Sequence, residues 1–287
     1  MSSGANYDQA SGYLVDAENI AEMARLAKQA RLTTEQTGLV PATIDLGRCA
    51  TILDIGCGPG EWSLAIAQQL PMSRVTGIDI STRMTEYAQY LVQENNLSNA
   101  NFHAMDARRQ LDFPDNSFDL IHMRFINSFL SKDNWPVLLQ ECFRLLRAGG
   151  YICSTEAEGV GVTTSPSLTR YNRLMTQILR ASGHAFVDEG DSPGITAVQM
   201  HLLQVAGFQT IQHEAFSSNY SHGTAAHTVL YEDFKALFKL LQPAVVHYKL
   251  ASQEELDVLY QRVLSEMQDQ TFCAVSFYQR VWGIKPA

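Results

Sequence analysis

Three glycines at alternate positions, Gly56, Gly58 and Gly60, follow the apolar run 51–55 and precede a segment of helical period that begins at Glu61. Glycine takes up positive φ without steric cost and lets a ligand approach bare backbone. A chain that leaves a strand and enters a helix through Asp54-Ile-Gly-Cys-Gly-Pro-Gly60 therefore has the context in which a glycine-rich turn binds a nucleotide. The same triplet also builds a plain strand-to-helix turn, so its meaning depends on what lies downstream.

Downstream, short apolar runs bounded by Gly, Pro or Asp alternate with longer amphipathic segments. Strands are predicted at 51–55, 74–80, 100–104, 118–123 and 150–156. Helices fall at about 61–70, 81–95 and 134–147, with a short turn near Ser128; Leu138, Leu139, Cys142, Leu145 and Leu146 form one stripe. Such β-α repetition gives a doubly wound α/β sheet, because right-handed crossovers place helices on both faces. An amphipathic helix over 16–37, carrying Ile20, Met23, Ala24, Ala27 and Ala30 and closed by Gly38 and Pro41, precedes the first strand.

After Glu156 the rhythm breaks into a turn-rich stretch at 159–167, a helix over 168–181 and a loop over 183–194. It resumes with a helix over 196–206 capped by Gly207 and a strand over 208–214. A second helical insertion over 225–270 then precedes a last strand at 272–284. No linker or internal repeat divides the chain, so it reads as one domain: a helical N-terminal part over 1–50, then a core over 51–287 with helical insertions at about 159–195 and 223–270.

The 287 residues carry 46% hydrophobic and 18% charged side chains, near the averages of soluble domains. The formal charge of −9 offers no basic field to collect phosphates, which argues against a nucleic-acid partner. No stretch approaches the ~18 uncharged apolar residues that span a bilayer, and Met1 to Ser11 lacks the basic-then-apolar order of a signal peptide. Cys49, Cys57, Cys142, Cys153 and Cys273 are odd in number and scattered without a C-x-x-C pair, so reduced thiols in a cytoplasmic protein are expected, with no metal.

Asp79, in Gly77-Ile-Asp-Ile-Ser81, ends the second strand about 20 residues beyond the glycine turn, where a carboxylate can accept both hydroxyl protons of a ribose. An Asp in this position can instead cap the next helix, but Ser81 fills that role more naturally. Asp106, in Ala104-Met-Asp-Ala107, closes the third strand and can take an exocyclic amine while the neighbouring backbone amide meets a ring nitrogen; as a lone residue it is equally a turn former. Ile80 and Met84 offer apolar faces to an adenine.

These residues fall into a known order. Segments 52–62, 77–84 and 104–107, then Asn116-Ser-Phe-Asp-Leu-Ile121 and Glu141-Cys-Phe-Arg-Leu-Leu-Arg-Ala-Gly-Gly150, resemble the successive motifs of class I S-adenosylmethionine-dependent methyltransferases of the bacterial small-molecule type. The likeness runs over about residues 10–214, and more weakly over 281–286. It implies a Rossmann-like seven-stranded sheet, mostly parallel, whose last strand is antiparallel in a hairpin with the sixth, with S-adenosylmethionine across the strand ends. Carried over residue by residue, Asp54 and Gly56, Cys57, Gly58 and Gly60 approach the methionine moiety, Asp79 holds the ribose, Asp106 with Ala107 reads the adenine, and His122, Met123 and Arg124 stand at the strand-four exit, where backbone flanks the cofactor's amino group. The segment Arg25-Leu-Ala-Lys-Gln29 is similar to the family's R-L-x-x-Q stretch, which folds over the cofactor beside a tyrosine matching Tyr13, and 1–50 becomes a cap over the cofactor. Arg147-Ala148 departs from the family's usual Lys-Pro, on a structural turn.

A sulfonium methyl is already activated, so alignment of the acceptor and exclusion of water matter most. A base is needed only where the acceptor loses a proton early. His122 and Glu156 are the candidates at strand ends, with Glu158 and Tyr171 behind them; a histidine in an apolar strand can equally be a packing residue, and Glu156 a helix cap. The remaining histidines lack metal-ligand spacing. The apolar insertions sit where this fold builds a lid and favour a small, moderately hydrophobic acceptor; the acceptor atom and the oligomeric state stay open. One rival is a protein of this fold that binds S-adenosylmethionine but catalyses a cyclisation or rearrangement, or acts as a regulator. Another is an NAD-dependent oxidoreductase, whose G-x-G-x-x-G fingerprint differs from the G-x-G-x-G found here.

Overall fold

The computed structural model describes residues 13–287. Helix α1 (Ile20–Thr37) starts where the Asn19 side chain accepts from the Ala21 N–H, and it ends at Gly38 with φ +70°. The alternating region gives β1 (Thr51–Ile55), α2 (Glu61–Gln69), β2 (Arg74–Asp79), α3 (Thr82–Glu94), β3 (Ala100–Ala104), β4 (Phe118–Arg124), α4 (Trp135–Leu145) and β5 (Leu146–Ala157). A two-residue strand β6 (Val162–Thr163) and helices α5 (Pro166–Ala181) and α6 (Ile195–Val205) follow, then β7 (Gln209–Asn219), α7 (His227–His247), α8 (Gln253–Gln268) and β8 (Ala274–Ile284).

The strands run β3-β2-β1-β4-β5-β8, with β7 and β6 both paired to β8. The pairs among β1 to β5 are parallel, whereas β8 is antiparallel to β5 and to β7. The expected mostly parallel sheet with an antiparallel last strand is thus present, extended by β6 against Ala274 and Val275. Helices cover both faces. Ile121, Met123, Leu138, Cys142, Leu203 and Phe208 pack on one, and Ile52, Trp62, Ile66, Val75, Ala88 and Phe102 on the other. A third apolar cluster joins α5, α7 and α8 through Leu168, Tyr171, Phe234, Phe238, Leu256 and Val263.

Several boundaries differ from expectation for physical reasons. Strand β5 begins four residues early because Phe118 pairs with Leu146 and Leu120 with Tyr151, so residues 147–150 bulge opposite Asp119. Gly149 (φ +79°) permits that bulge, and Arg147 fastens it by donating to Asp119 Oδ1 at 2.6 Å and Thr51 Oγ1 at 2.7 Å. Strand β7 runs to Asn219, past the predicted end, since its exposed faces show no apolar alternation to read. The insertion 225–270 is two helices, separated where Ser252 and Glu255 form a reciprocal capping box at the start of α8.

Gly60 serves packing. It caps α2 in the left-handed conformation (φ +86°), and an added Cβ would lie 2.8 Å from Ala88 Cβ and 3.0 Å from Phe102 Cζ. Gly60→Ala combines backbone strain with overpacking, so it is expected to lower unfolding free energy by about 2–4 kcal/mol. Urea denaturation checks this, and an unchanged midpoint would contradict it.

Candidate functional site

The carboxyl ends of β1, β2, β4 and β5 meet under α1, α5 and α7, the position at which an open α/β sheet receives ligands. A cavity of about 290 Å³ lies there. Its floor is the glycine turn: Gly56 and Gly58 line it with φ +68° and +52°, and a Cβ on Gly58 would meet nothing closer than Leu26 at 3.8 Å. Asp79 braces this turn, as its Oδ2 accepts the Gly58 N–H at 2.9 Å and its Oδ1 the Ser81 N–H at 3.0 Å. Ser81 Oγ caps α3 at Met84 N, so Asp79 is not the side chain that caps that helix. Burial raises the Asp79 carboxyl above its ordinary range, and the two backbone N–H groups oppose that rise.

Next to the turn, Asp54 accepts His122 Nδ1 at 2.8 Å and Ser63 Oγ at 2.6 Å. The His122 ring stacks on Trp62, centroids 3.7 Å apart at 4°. Burial lowers its pKa despite the Asp54 hydrogen bond, so a neutral ring that donates from Nδ1 leaves a lone pair at Nε2. Asp106 also lines the cavity, but Arg108 binds its carboxylate twice, at 2.9 Å each. Although burial works against it, this pairing holds Asp106 below its ordinary pKa.

Tyr13, Arg25 and Gln29 stand in the wall as α1 passes over the strand ends. Arg25 is fully engaged: Nε and Nη2 reach Glu22 at 2.7 and 2.6 Å, and Nη1 reaches Asp233 of α7 at 2.8 Å. Tyr13 donates to the same Glu22 at 2.5 Å.

Glu156, at the end of β5, is 2% exposed. It accepts the Ile126 N–H at 2.9 Å and the Asn127 N–H at 3.4 Å, at the head of a single 3-10 turn (Ile126–Ser128) entered through Phe125 at φ +56°. Burial pushes its carboxyl up to about 8 against those two N–H groups. Glu158 instead caps α6, accepting both the backbone and the side chain of Thr196 at 2.7 Å. Tyr171 is buried against Phe238 and does not line the cavity.

Of the residues singled out from the sequence, Tyr13, Arg25, Gln29, Asp54, Gly56, Cys57, Gly58, Asp79, Ile80, Met84, Asp106, Ala107, His122, Arg124 and Glu156 line this one cavity. Gly60 and Met123 do not. Gly60 packs against α3 and β3, and Met123, wholly buried, belongs to the core beneath the sheet. The opposite wall was not foreseen. Met175, Ile178 and Leu179 of α5 and Leu230, Asp233, Phe234, Leu237 and Leu241 of α7 form it, with Phe129 and Tyr278. The helical spacing of Phe234 suits a core residue, and an acidic residue beside it on an apolar helix is the available signal for Asp233.

Residues 52–150 match the model of a family described as a methyltransferase domain. Over 130 residues the chain is 28% identical to the demethylmenaquinone methyltransferase of Listeria welshimeri, covering 45% of this chain and 51% of that protein. The chain thus spans about half the length of the curated relatives it matches. Its fold is similar to that of YcgJ from Bacillus subtilis, with TM-score 0.52, 18% identity, and 91% of this chain and 99% of that one covered. It is also similar to the [4+2]-cyclase SpnF, with TM-score 0.50, 16% identity, and 96% and 87% covered. Residues 52–150 are thus similar to the methyltransferase domain of class I S-adenosylmethionine-dependent enzymes.

Glu156 gives the site a pH signature. A carboxyl raised from 4.5 to about 8 in the fold binds its proton more tightly folded than unfolded, so its stabilising contribution is full below about pH 4.5 and is lost as pH rises through 8. Between pH 5 and 8.5 the wild type is expected to lose on the order of a few kcal/mol relative to Glu156→Gln. Parallel pH profiles of chemical denaturation for the two proteins would refute this.

Proposed function

We propose that this protein transfers the S-methyl group of S-adenosylmethionine to a small, moderately hydrophobic acceptor by in-line displacement. The observation that carries the reading is the division of one cavity into two chemistries. A glycine turn with Asp79 and Asp106 lies on the β1, β2 and β3 side, and a wall of Met, Leu, Ile and Phe from α5 and α7 lies opposite.

The residues fit the cofactor. Gly56 and Gly58 line the cavity, with open backbone at Gly58 and the Phe129 ring close beside Gly56. Asp79 spends one acceptor direction per oxygen on Gly58 and Ser81, which leaves lone pairs for two ribose hydroxyls. Ile80 and Met84 flank the place for an adenine, and Asp106 with Ala107 stands at its edge. When bound, S-adenosylmethionine supplies a methyl group on a positively charged sulfur, already activated for displacement. The chain's own part is to orient the acceptor and keep water out. We read residues 1–50 as the cap and residues 51–287 as the core with its two lid insertions; of the cap, 1–12 lie outside the described residues. Arg25 within that cap works through Glu22 and Asp233, tying α1 to α7, and does not stand free for a ligand.

For an acceptor that must lose a proton, Glu156 is the base we favour. It lines the cavity and its carboxyl titrates at about 8, close to working pH. His122, pinned by Asp54 and stacked on Trp62, is placed as a positioning residue at the methionine end. Oxygen, nitrogen and carbon acceptors all suit this arrangement. The partner is a small molecule, with no role for nucleic acid or membrane. Among the described residues no helix is long and apolar enough to cross a bilayer. Five unpaired cysteines support a cytoplasmic setting.

Two measurements test the reading. Isothermal titration is expected to show S-adenosylhomocysteine binding that Asp79→Ala weakens by about 100-fold, through loss of charge-assisted hydrogen bonds, whereas NAD binds negligibly. Incubation with methyl-labelled S-adenosylmethionine and a panel of apolar alcohols, amines and quinols is expected to yield labelled product. Product formed without label would instead identify a non-methylating cyclisation or rearrangement on the same fold.

A further inference from the structure

We propose that the Arg124 guanidinium anchors the carboxylate at the amino-acid end of the bound cofactor, a reading that rests on the cofactor assignment above. Two arginines line the cavity, and their circumstances are opposite. Arg25 is held by two carboxylates, with contacts of 2.6 to 2.8 Å to Glu22 and Asp233. A third carboxylate brought to Arg25 would meet two like charges. Arg124 has neutral partners at longer range, the Thr34 hydroxyl at 3.2 Å and the Ala30 carbonyl at 3.4 Å. Among the described residues no carboxylate forms an ion pair with it.

A half-buried guanidinium in this state is under-compensated. Burial draws its pKa down to about 10, and Asp54, itself committed to His122 and Ser63, opposes the fall only at a distance. Arg124 commits two of its nitrogens to these long bonds, and the planar fork suits a carboxylate.

Position points the same way. Ile55 of β1 pairs with Met123 of β4, so the next residues, Gly56 and Arg124, stand side by side at the strand ends. In the strand order β3-β2-β1-β4, Asp79 on β2 and Arg124 on β4 flank the glycine turn. A ligand whose ribose sits on Asp79 and whose chain crosses the open backbone at Gly58 and passes Gly56 delivers its far end to Arg124. In S-adenosylmethionine that far end carries the carboxylate.

The test compares S-adenosylhomocysteine with its decarboxylated analogue, which keeps the nucleoside, the sulfur and the amine. Both are titrated into the wild type, Arg124→Gln and Arg124→Lys, with thermal melts to check folding. The wild type is expected to prefer S-adenosylhomocysteine, and Arg124→Gln to bind it about 10- to 100-fold more weakly while binding the analogue as before. Arg124→Lys, which keeps charge but not the fork, is expected to lose part of the preference, and it carries the test if Arg124→Gln does not fold. Equal weakening of both ligands would overturn the proposal by reducing Arg124 to a tie between β4 and α1. Unchanged S-adenosylhomocysteine binding would also overturn it, and a raised acceptor KM alongside would place the carboxylate on the acceptor. Failure of the wild type to bind either nucleoside would instead sink the cofactor assignment.

Discussion

The site depends on one carboxylate that holds two pieces of backbone. By accepting the Gly58 and Ser81 N–H groups, Asp79 joins the turn after β1 to the start of α3 and fixes the glycine backbone on the floor of the cavity. The neighbouring Cys57 N–H bonds to the Ile78 carbonyl at 2.9 Å, so both ends of the turn are registered against β2. Without these bonds the buried N–H groups of a left-handed turn would lack partners, at a cost comparable to a lost hydrogen bond each. The turn is therefore formed before any ligand arrives, which lowers the ordering cost of binding.

A second set of charges closes the roof. Glu22, Arg25 and Asp233 are each nearly inaccessible, and with Tyr13 they form a satisfied network between α1 and α7. Buried ion pairs are weak sources of net stability, because desolvation offsets much of their attraction, but breaking one partner out of the set is costly. Their effect here is positional. They tie α1 to α7 over the strand ends, where both helices line the cavity. Arg124, on the opposite side of the turn, lacks such a set.

The legibility of these features follows how local they are. Asp54, the glycines and Asp79 are close in sequence and sit on strand ends whose apolar runs are unmistakable, so both the fold class and the glycine-turn side of the cavity were readable. Gly60 and Met123 were assigned by motif, yet strand alternation turns Met123 into the core, and the left-handed cap geometry of Gly60 answers to Ala88 and Phe102. Asp233 was not readable as a partner of Arg25 because 208 residues separate them. Glu156 was readable as a strand-end acid, whereas its cradle of Ile126 and Asn127 N–H groups depends on how β4 exits through Phe125. The extension of β7 beyond Glu214 and the two-residue β6 carry no apolar period and were visible only in the sheet.

On the proposed reading, the cavity at the ends of β1, β2 and β4 takes S-adenosylmethionine with its sulfur turned toward the α5 and α7 wall. A crystal structure grown with S-adenosylhomocysteine tests this most directly. The ribose is expected on Asp79, the adenine between Ile80 and Met84 beside Asp106, and the sulfur facing a pocket bounded by Glu156, Phe129 and Phe234. A nucleoside bound elsewhere on the molecule, or a sulfur buried against the glycine turn with no open path to the apolar wall, would contradict it.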